Sequence, residues 1–483
     1  MSSPTGLKRT IGFRDMALFY VASGLSIRWI AAAAAAGPSV LVVWIAALVC
    51  FFIPLAATVM ELSSRYPQEG GMYIWAEQAF GEFAGFFTAW TYWMSNVPYF
   101  SAVLYFAAAS TLFAFGERGQ SLASSAGFFM IFSAGWLAII TLVNIAGLDL
   151  GKWLNNISSM GSILPLAIVI VLGAVSYSRF GSALHFSAAT LTPHWSMKNA
   201  IFWSGVFFAF SGLESGSAMG DEIRNPRQTI PWAILAGGSI MAIGYIAGTA
   251  AMLVAVPANA MSGPDALVFG IRALSSHLGL AWLLAPMAVL VSLNGVGNAA
   301  AFLSSTSRLP FVAGIHNYLP PVFAKVHPRF RTPWVAIAVY GGAGIVMALL
   351  GQAGTNVRGA YDVLVSMAGL TTFLPYFFVF GALIRVQNRP MEPGALRIPG
   401  GRPVAIMLAV LGLASTLATV VLSTIPSDDD PHPVLAVVKI LGLTSILLGA
   451  GVVVFLIARY KQKKLGLRDR TGLMSNATAA RGE

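Results

Sequence analysis

Charge is what this sequence lacks. Of its 483 residues only 10% are Asp, Glu, Lys or Arg, while 57% are hydrophobic. A soluble domain carries roughly a quarter charged residues, and a soluble chain of this length has too little interior to hide so much apolar surface. An ordinary globular enzyme, a disordered chain and a fibrous repeat are excluded. Cysteine is nearly absent as well. Cys50 is the single one, so no intramolecular disulfide can form. The six histidines (His185, His194, His277, His316, His327 and His432) fall in loops or at segment ends. None has ligand-like spacing to Cys or to a carboxylate, so they read as surface residues and no metal site or cofactor is expected. Gly70-Gly71 and Gly400-Gly401 follow no strand and lack a phosphate-loop pattern, so neither nucleotide nor nucleic acid is an expected partner. The first dozen residues are polar and basic, without the apolar core of a cleaved signal, and read as a cytoplasmic tail.

What is present is a series of long apolar runs separated by polar or Gly/Pro clusters. Twelve stand out, at about 16–36, 39–60, 84–114, 126–147, 157–177, 200–220, 234–256, 281–306, 334–351, 361–384, 404–425 and 434–458. Each is near the ~20 residues that cross a hydrocarbon core. With twelve spans both termini share one side. That side holds 22 Lys and Arg residues and the other holds 5, with Arg28 and Lys439 inside apolar segments. The positive-inside rule then places both termini in the cytoplasm and the acidic run Asp428-Asp429-Asp430 outside. The net charge of +11 is therefore read as topological. Lipid is the expected surrounding, and the tail 459–483 reads as a basic cytoplasmic end.

The first and sixth segments share an interruption. Tyr20-Val-Ala-Ser23-Gly24-Leu25-Ser26 and Phe208-Ala-Phe-Ser211-Gly212-Leu213-Glu214-Ser215 both place Ser-Gly-Leu in mid-span, 188 residues apart. Interruptions at matching places in two halves point to a transporter built from inverted repeats with broken helices. Unwound backbone must line a cavity or bind something, because lipid cannot satisfy it. Half-helix ends suit an amino acid, whose carboxylate seeks N–H groups and whose ammonium seeks carbonyls.

Five further stretches carry a resemblance: Glu61-Leu-Ser-Ser-Arg65-Tyr66-Pro67-Gln-Glu-Gly70-Gly71, Phe80-Gly81-Glu82-Phe83-Ala-Gly85-Phe86, Asp221-Glu222-Ile-Arg224-Asn225-Pro226, Ser304-Ser305-Thr306-Ser307-Arg308-Leu309, and Leu396-Arg397-Ile398-Pro399-Gly400-Gly401. In this order the chain resembles the amino acid–polyamine–organocation (APC) superfamily, and the last stretch looks like its glutamate/GABA antiporter group. The resemblance implies an all-α polytopic membrane protein with 12 transmembrane helices. These would form a five-plus-five inverted repeat, leucine-transporter-like, with broken first and sixth helices and two additional helices. It implies a cytoplasmic N-terminal tail at 1–15, a transport core at 16–384, the additional pair at 385–458 and the basic tail at 459–483. The implied function is secondary active transport of amino acids across the plasma membrane by alternating access. A polyamine or other organocation cargo is the alternative. The chain departs from the family where a Gly-Ser-Gly sequence usually cradles the substrate carboxylate, since Arg28-Trp29-Ile30 stands there. The lysine that some proton-coupled relatives carry in the fifth span is also missing from 156–169.

By position, Ser23, Gly24, Ser26, Ile27, Arg28, Trp29, Phe208, Ser211 and Gly212 are the candidate substrate-binding residues. Arg28, Phe208 and Glu214 are candidates for gating or coupling. A guanidinium in mid-membrane costs ~2.5–3.5 kcal/mol or more and needs a partner. For Arg28 that partner is Glu214, or a substrate carboxylate held by two hydrogen bonds, or it stands as a fixed cation where relatives use sodium or lysine. Phe208 is the aromatic that would cover bound substrate, with Trp29 as a second. Glu214 is either a satisfied buried acid or a proton-sensitive gate. Asn294, Asn298, Ser304 and Ser305 are candidates for the pocket or for an ion site binding Na+ or, as coupling, H+. No catalytic constellation of paired acids, His cluster or activated nucleophile lies within the apolar segments, so no enzyme is expected.

Overall fold

The computed structural model describes residues 7–182, 184, 186–194, 196–255, 265–350, 357–391, 393–424 and 433–464. The acidic run Asp428–Asp430, His185, His432, the first six residues and the end of the basic tail lie outside them. The described residues form helices joined by turns and loops, with one isolated bridge between Ile11 and Ile223. Among them nine helices are long and apolar enough to cross a membrane, and a bent pair makes a tenth. That pair is the expected first break: α1 (Phe13–Gly24) and α2 (Arg28–Ala34) meet at 40°. Of the other expected segments, 334–351 is a 17-residue apolar helix, Trp334–Leu350. The segment 200–220 is not one helix. α8 (Met197–Ala209) stops at its interruption, and the chain resumes as 3-10 turns over Ser215–Glu222.

The remaining helices of eight residues or more are α3 (Val40–Arg65), α4 (Met72–Phe80), α5 (Glu82–Ala114), α6 (Ala126–Ala146), α7 (Leu148–Phe180), α9 (Pro226–Ala255), α10 (Ala266–His277), α11 (Leu284–Thr306), α12 (Arg308–Ile315), α13 (Trp334–Leu350), α14 (Val357–Val386), α15 (Gly401–Leu422) and α16 (Pro433–Lys464). α16 runs to Lys464, so the start of the expected basic tail, Arg459–Lys464, continues the last helix. Burial sorts these helices into two shells. The spanning part of α5 is 83% buried and that of α14 72%, whereas α6 and the spanning part of α16 are each 22% buried. The outer helices expose Ile131, Leu142, Ile243 and Ile446. Such a surface is stable in lipid and costly in water.

Local chemistry explains the irregularities. In α3 a π turn covers Leu48–Phe52. Pro54 has no N–H to give the Cys50 carbonyl, and the Ser415 hydroxyl of α15 donates to that carbonyl instead, at 2.9 Å. At the sixth interruption Gly212 has φ +109°, a conformation that only glycine adopts cheaply. A Cβ there would also meet the Phe302 ring at 3.3 Å and the Gly24 Cα at 3.6 Å. The two Ser-Gly-Leu interruptions therefore approach closely at their glycines.

Candidate functional site

Unwinding leaves the carbonyls at the end of α1 without helical donors, and side chains from other helices supply them. Asn298 Nδ2 donates to the Ala22 and Ser23 carbonyls at 2.9 and 2.8 Å. Asn294 Nδ2 donates to the Leu25 carbonyl at 3.2 Å and to Ser162 Oγ. The Tyr245 hydroxyl donates to the Gly24 carbonyl at 2.7 Å and accepts from the Ser26 N–H at 3.0 Å. Asn294 and Asn298, expected to line a pocket or an ion site, thus act as caps on the break. Ser304 and Ser305 lie further along α11, toward its C-terminal end, and do not line the cavity described below. The Ser304 carbonyl accepts from Arg308, and the Ser305 hydroxyl returns to the Phe302 carbonyl at 3.3 Å.

Glu214 anchors the second break. Its Oε1 accepts from the hydroxyls of Tyr92 (2.6 Å) and Tyr376 (2.9 Å), and both oxygens take the Gly212 N–H at 3.1 Å. The expected Arg28–Glu214 ion pair is not formed. Arg28 starts α2, on the far side of the first break. Its Nη1 donates to the Tyr361 hydroxyl at 3.3 Å, and its guanidinium lies 4.5 Å from the Trp29 ring centroid and 5.1 Å from that of Tyr99. Tyrosines from α5 and α14 reach the acid first, and the guanidinium is held among aromatic faces instead.

Between the breaks lies a cavity of about 20 Å³, room for roughly one water molecule. Of the candidate substrate-binding residues, Ser23, Gly24, Ser26, Trp29, Phe208 and Ser211 line it. Ile27, Arg28 and Gly212 are buried but are not among its lining residues. Phe208 packs edge-on against Trp29, with centroids 5.4 Å apart, and against Tyr99 at 6.2 Å. Sequence reasoning missed the lining residues Tyr92, Asn96, Tyr99, Phe302 and Thr372. Polar residues inside apolar α5 were the available signal for Tyr92, Asn96 and Tyr99. Phe302 and Thr372 carried none.

Away from the cavity, three of the quoted sequence stretches converge. Arg308 Nε and Nη2 form a fork on the Glu222 carboxylate at 2.8 and 2.9 Å, with Glu69 Oε1 4.0 Å from Nε. Glu69 Oε2 accepts from the Asp221 N–H at 2.9 Å. Burial, and next the like charge of Glu222, holds the Glu69 carboxyl well above the usual carboxylate range. The N-terminal segment closes over this cluster, its Thr10 and Ile11 N–H groups bonding the Glu222 carbonyl. Glu61 ties in the Leu396–Gly401 stretch by accepting from the Ile398 N–H at 2.9 Å. His316, expected at the surface, is half-buried with its Nδ1 2.7 Å from the Tyr73 hydroxyl.

A many-helix membrane bundle with two closely approaching interruptions around a small polar–aromatic cavity is transporter architecture, and residues 11–452 match the amino acid permease family profile. The chain belongs to the amino acid permease family. The permease is similar to an uncharacterized transporter of Legionella pneumophila, 26% identical over 88% of this chain and 91% of that one. It is similar to a probable agmatine/putrescine antiporter of Lactococcus lactis, 24% identical over 82% of this chain and 84% of the relative. A serine/threonine exchanger of Bacillus subtilis is 26% identical over 75% of the permease and 79% of its own length. The permease is an integral membrane protein and a secondary transporter of amino acids.

Proposed function

We propose that the permease moves a small amino acid across the plasma (inner) membrane by alternating access around the cavity between its two interrupted spans. Twelve spans, ten of them an inverted repeat, would place both termini in the cytoplasm. On that reading the Arg308–Glu222–Glu69 cluster lies at the cytoplasmic end of the pathway. The observation that carries the proposal is the close approach of Gly24 and Gly212, with residues from both breaks lining one cavity. Substrate held there touches both halves of the fold, so rocking one half against the other changes its exposure. The first-break carbonyls, which elsewhere would hold a cation, already have the Asn294, Asn298 and Tyr245 donors. Transport is therefore expected to need no Na+.

The test is uptake by purified protein in proteoliposomes, with labelled amino acids and polyamines and with or without a pH gradient or internal exchange substrate. Amino acid uptake is expected, with an initial rate unchanged when choline replaces sodium. Uptake of polyamines alone would favour the organocation reading, which the agmatine/putrescine relative and a probable polyamine transporter of Arabidopsis thaliana support.

A further inference from the structure

Arg28 is 3% exposed, and its Nε and Nη2 have no hydrogen-bond partner. A buried guanidinium with one 3.3 Å contact to a tyrosine hydroxyl leaves most of its fork unsatisfied. Aromatic faces offset part of the cost of burying the charge but donate no anion. Glu214 does not serve, because its carboxylate is occupied by Tyr92, Tyr376 and Gly212. The fork lies against Trp29 and Tyr99, two rings that line the cavity. Ser26, also lining it, has a buried hydroxyl that makes no hydrogen bond of normal geometry and has the Tyr99 hydroxyl as its polar neighbour. Two of the backbone donors at the breaks are already in use, the Ser26 N–H on Tyr245 and the Gly212 N–H on Glu214.

We infer that Arg28 is the carboxylate receptor of this permease: Nε and Nη2 take the α-carboxylate of the substrate as a bidentate pair, with the Ser26 hydroxyl as a further donor. The geometry suits a planar two-oxygen anion. The ligand class is an amino acid with a free α-carboxylate. A diamine, which offers a second cation to an uncompensated first, is rejected. The inference rests on the amino acid transport reading and adds the residue that enforces it.

The experiment uses four matched pairs that differ only in the carboxylate: L-serine and ethanolamine, L-lysine and cadaverine, L-ornithine and putrescine, L-arginine and agmatine. Wild-type proteoliposomes are expected to take up only carboxylate-bearing members. For an accepted amino acid, the matched amine and the α-methyl ester should compete at least ~10-fold more weakly, since a charge-assisted bidentate pair is lost. Arg28→Gln should raise the half-saturating concentration ~10–100-fold while leaving the thermal unfolding midpoint in detergent within a few degrees of wild type. Arg28→Lys, a point charge without the fork, should fall between. Should Arg28→Gln not fold, the ester comparison on wild-type protein decides alone. Amino acid uptake with equal competition by the ester, or with wild-type half-saturation in folded Arg28→Gln, overturns the assignment of Arg28 and leaves the transport reading standing. Uptake of the amines in place of the amino acids overturns both.

Discussion

Glu214→Leu is expected to abolish amino acid uptake. The wild-type carboxylate satisfies the Tyr92 and Tyr376 hydroxyls and the Gly212 N–H at a fully buried point. Leucine would leave all three donors unpaired, at about 1–3 kcal/mol each. The backbone at Gly212 is held in the left-handed region by this same contact, so the lost energy falls on the break and not on the bundle as a whole. Glu214→Gln is the sharper variant. Its amide keeps one acceptor but turns an N–H₂ toward hydroxyls and an amide that already donate. Initial uptake rates, normalised to reconstituted protein, should drop at least ~10-fold for Gln, about the effect of losing 1.4 kcal/mol, and to background for Leu. A wild-type rate in Glu214→Gln would mean that the break does not depend on the carboxylate.

Arg308→Met is expected to be the most destabilising single change. Arg308 is 1% exposed and joins α12 to the exit of the second break through Glu222, with further donation to the Ser307 hydroxyl at 3.0 Å. Removing it strands a buried carboxylate, and breaking such a pair costs about 3–5 kcal/mol. The thermal midpoint in detergent should fall sharply, with little protein reaching the membrane. The double variant Arg308→Met/Glu222→Leu should recover much of the loss, because the Glu222 carboxylate that the single change strands is gone. A double variant as unstable as the single one would show that the ion pair is not the source. Glu69 adds a pH dependence. Its folded pKa is raised, so the native state binds more protons than the unfolded chain, and stability falls as pH rises above the unfolded carboxylate value. Glu69→Gln should flatten that decline on the alkaline side.

Much of this site was legible before any coordinates. Ser23, Gly24, Ser26 and Ser211 were singled out by a short pattern repeated in two halves, Trp29 and Phe208 by their position in the resembled family, and all six line one cavity. A backbone break in lipid must line a cavity or find partners wherever it occurs, which is why the pattern and the cavity coincide. The placing of Arg28 against Glu214 did not hold. Both lie within four residues of an interruption, yet distance along the chain says nothing about which aromatic hydroxyls arrive from α5 and α14. The asparagines of α11 are a similar case. Asn298 and Asn294 were recognisable as polar residues in an apolar helix, but not as donors to carbonyls some 270 residues earlier.

The scarcity of charge settled the solvent, and the apolar runs set most of the helices, because hydropathy acts locally and each segment meets lipid on its own terms. Ser-Gly-Leu likewise placed both interruptions. Tertiary structure alone decided the pairings: Glu214 with two tyrosines, Arg28 among rings with its fork unfilled, Arg308 with Glu222. A buried polar group is satisfied by whatever the packing of distant helices brings within 3 Å, and that is a property of the assembled bundle.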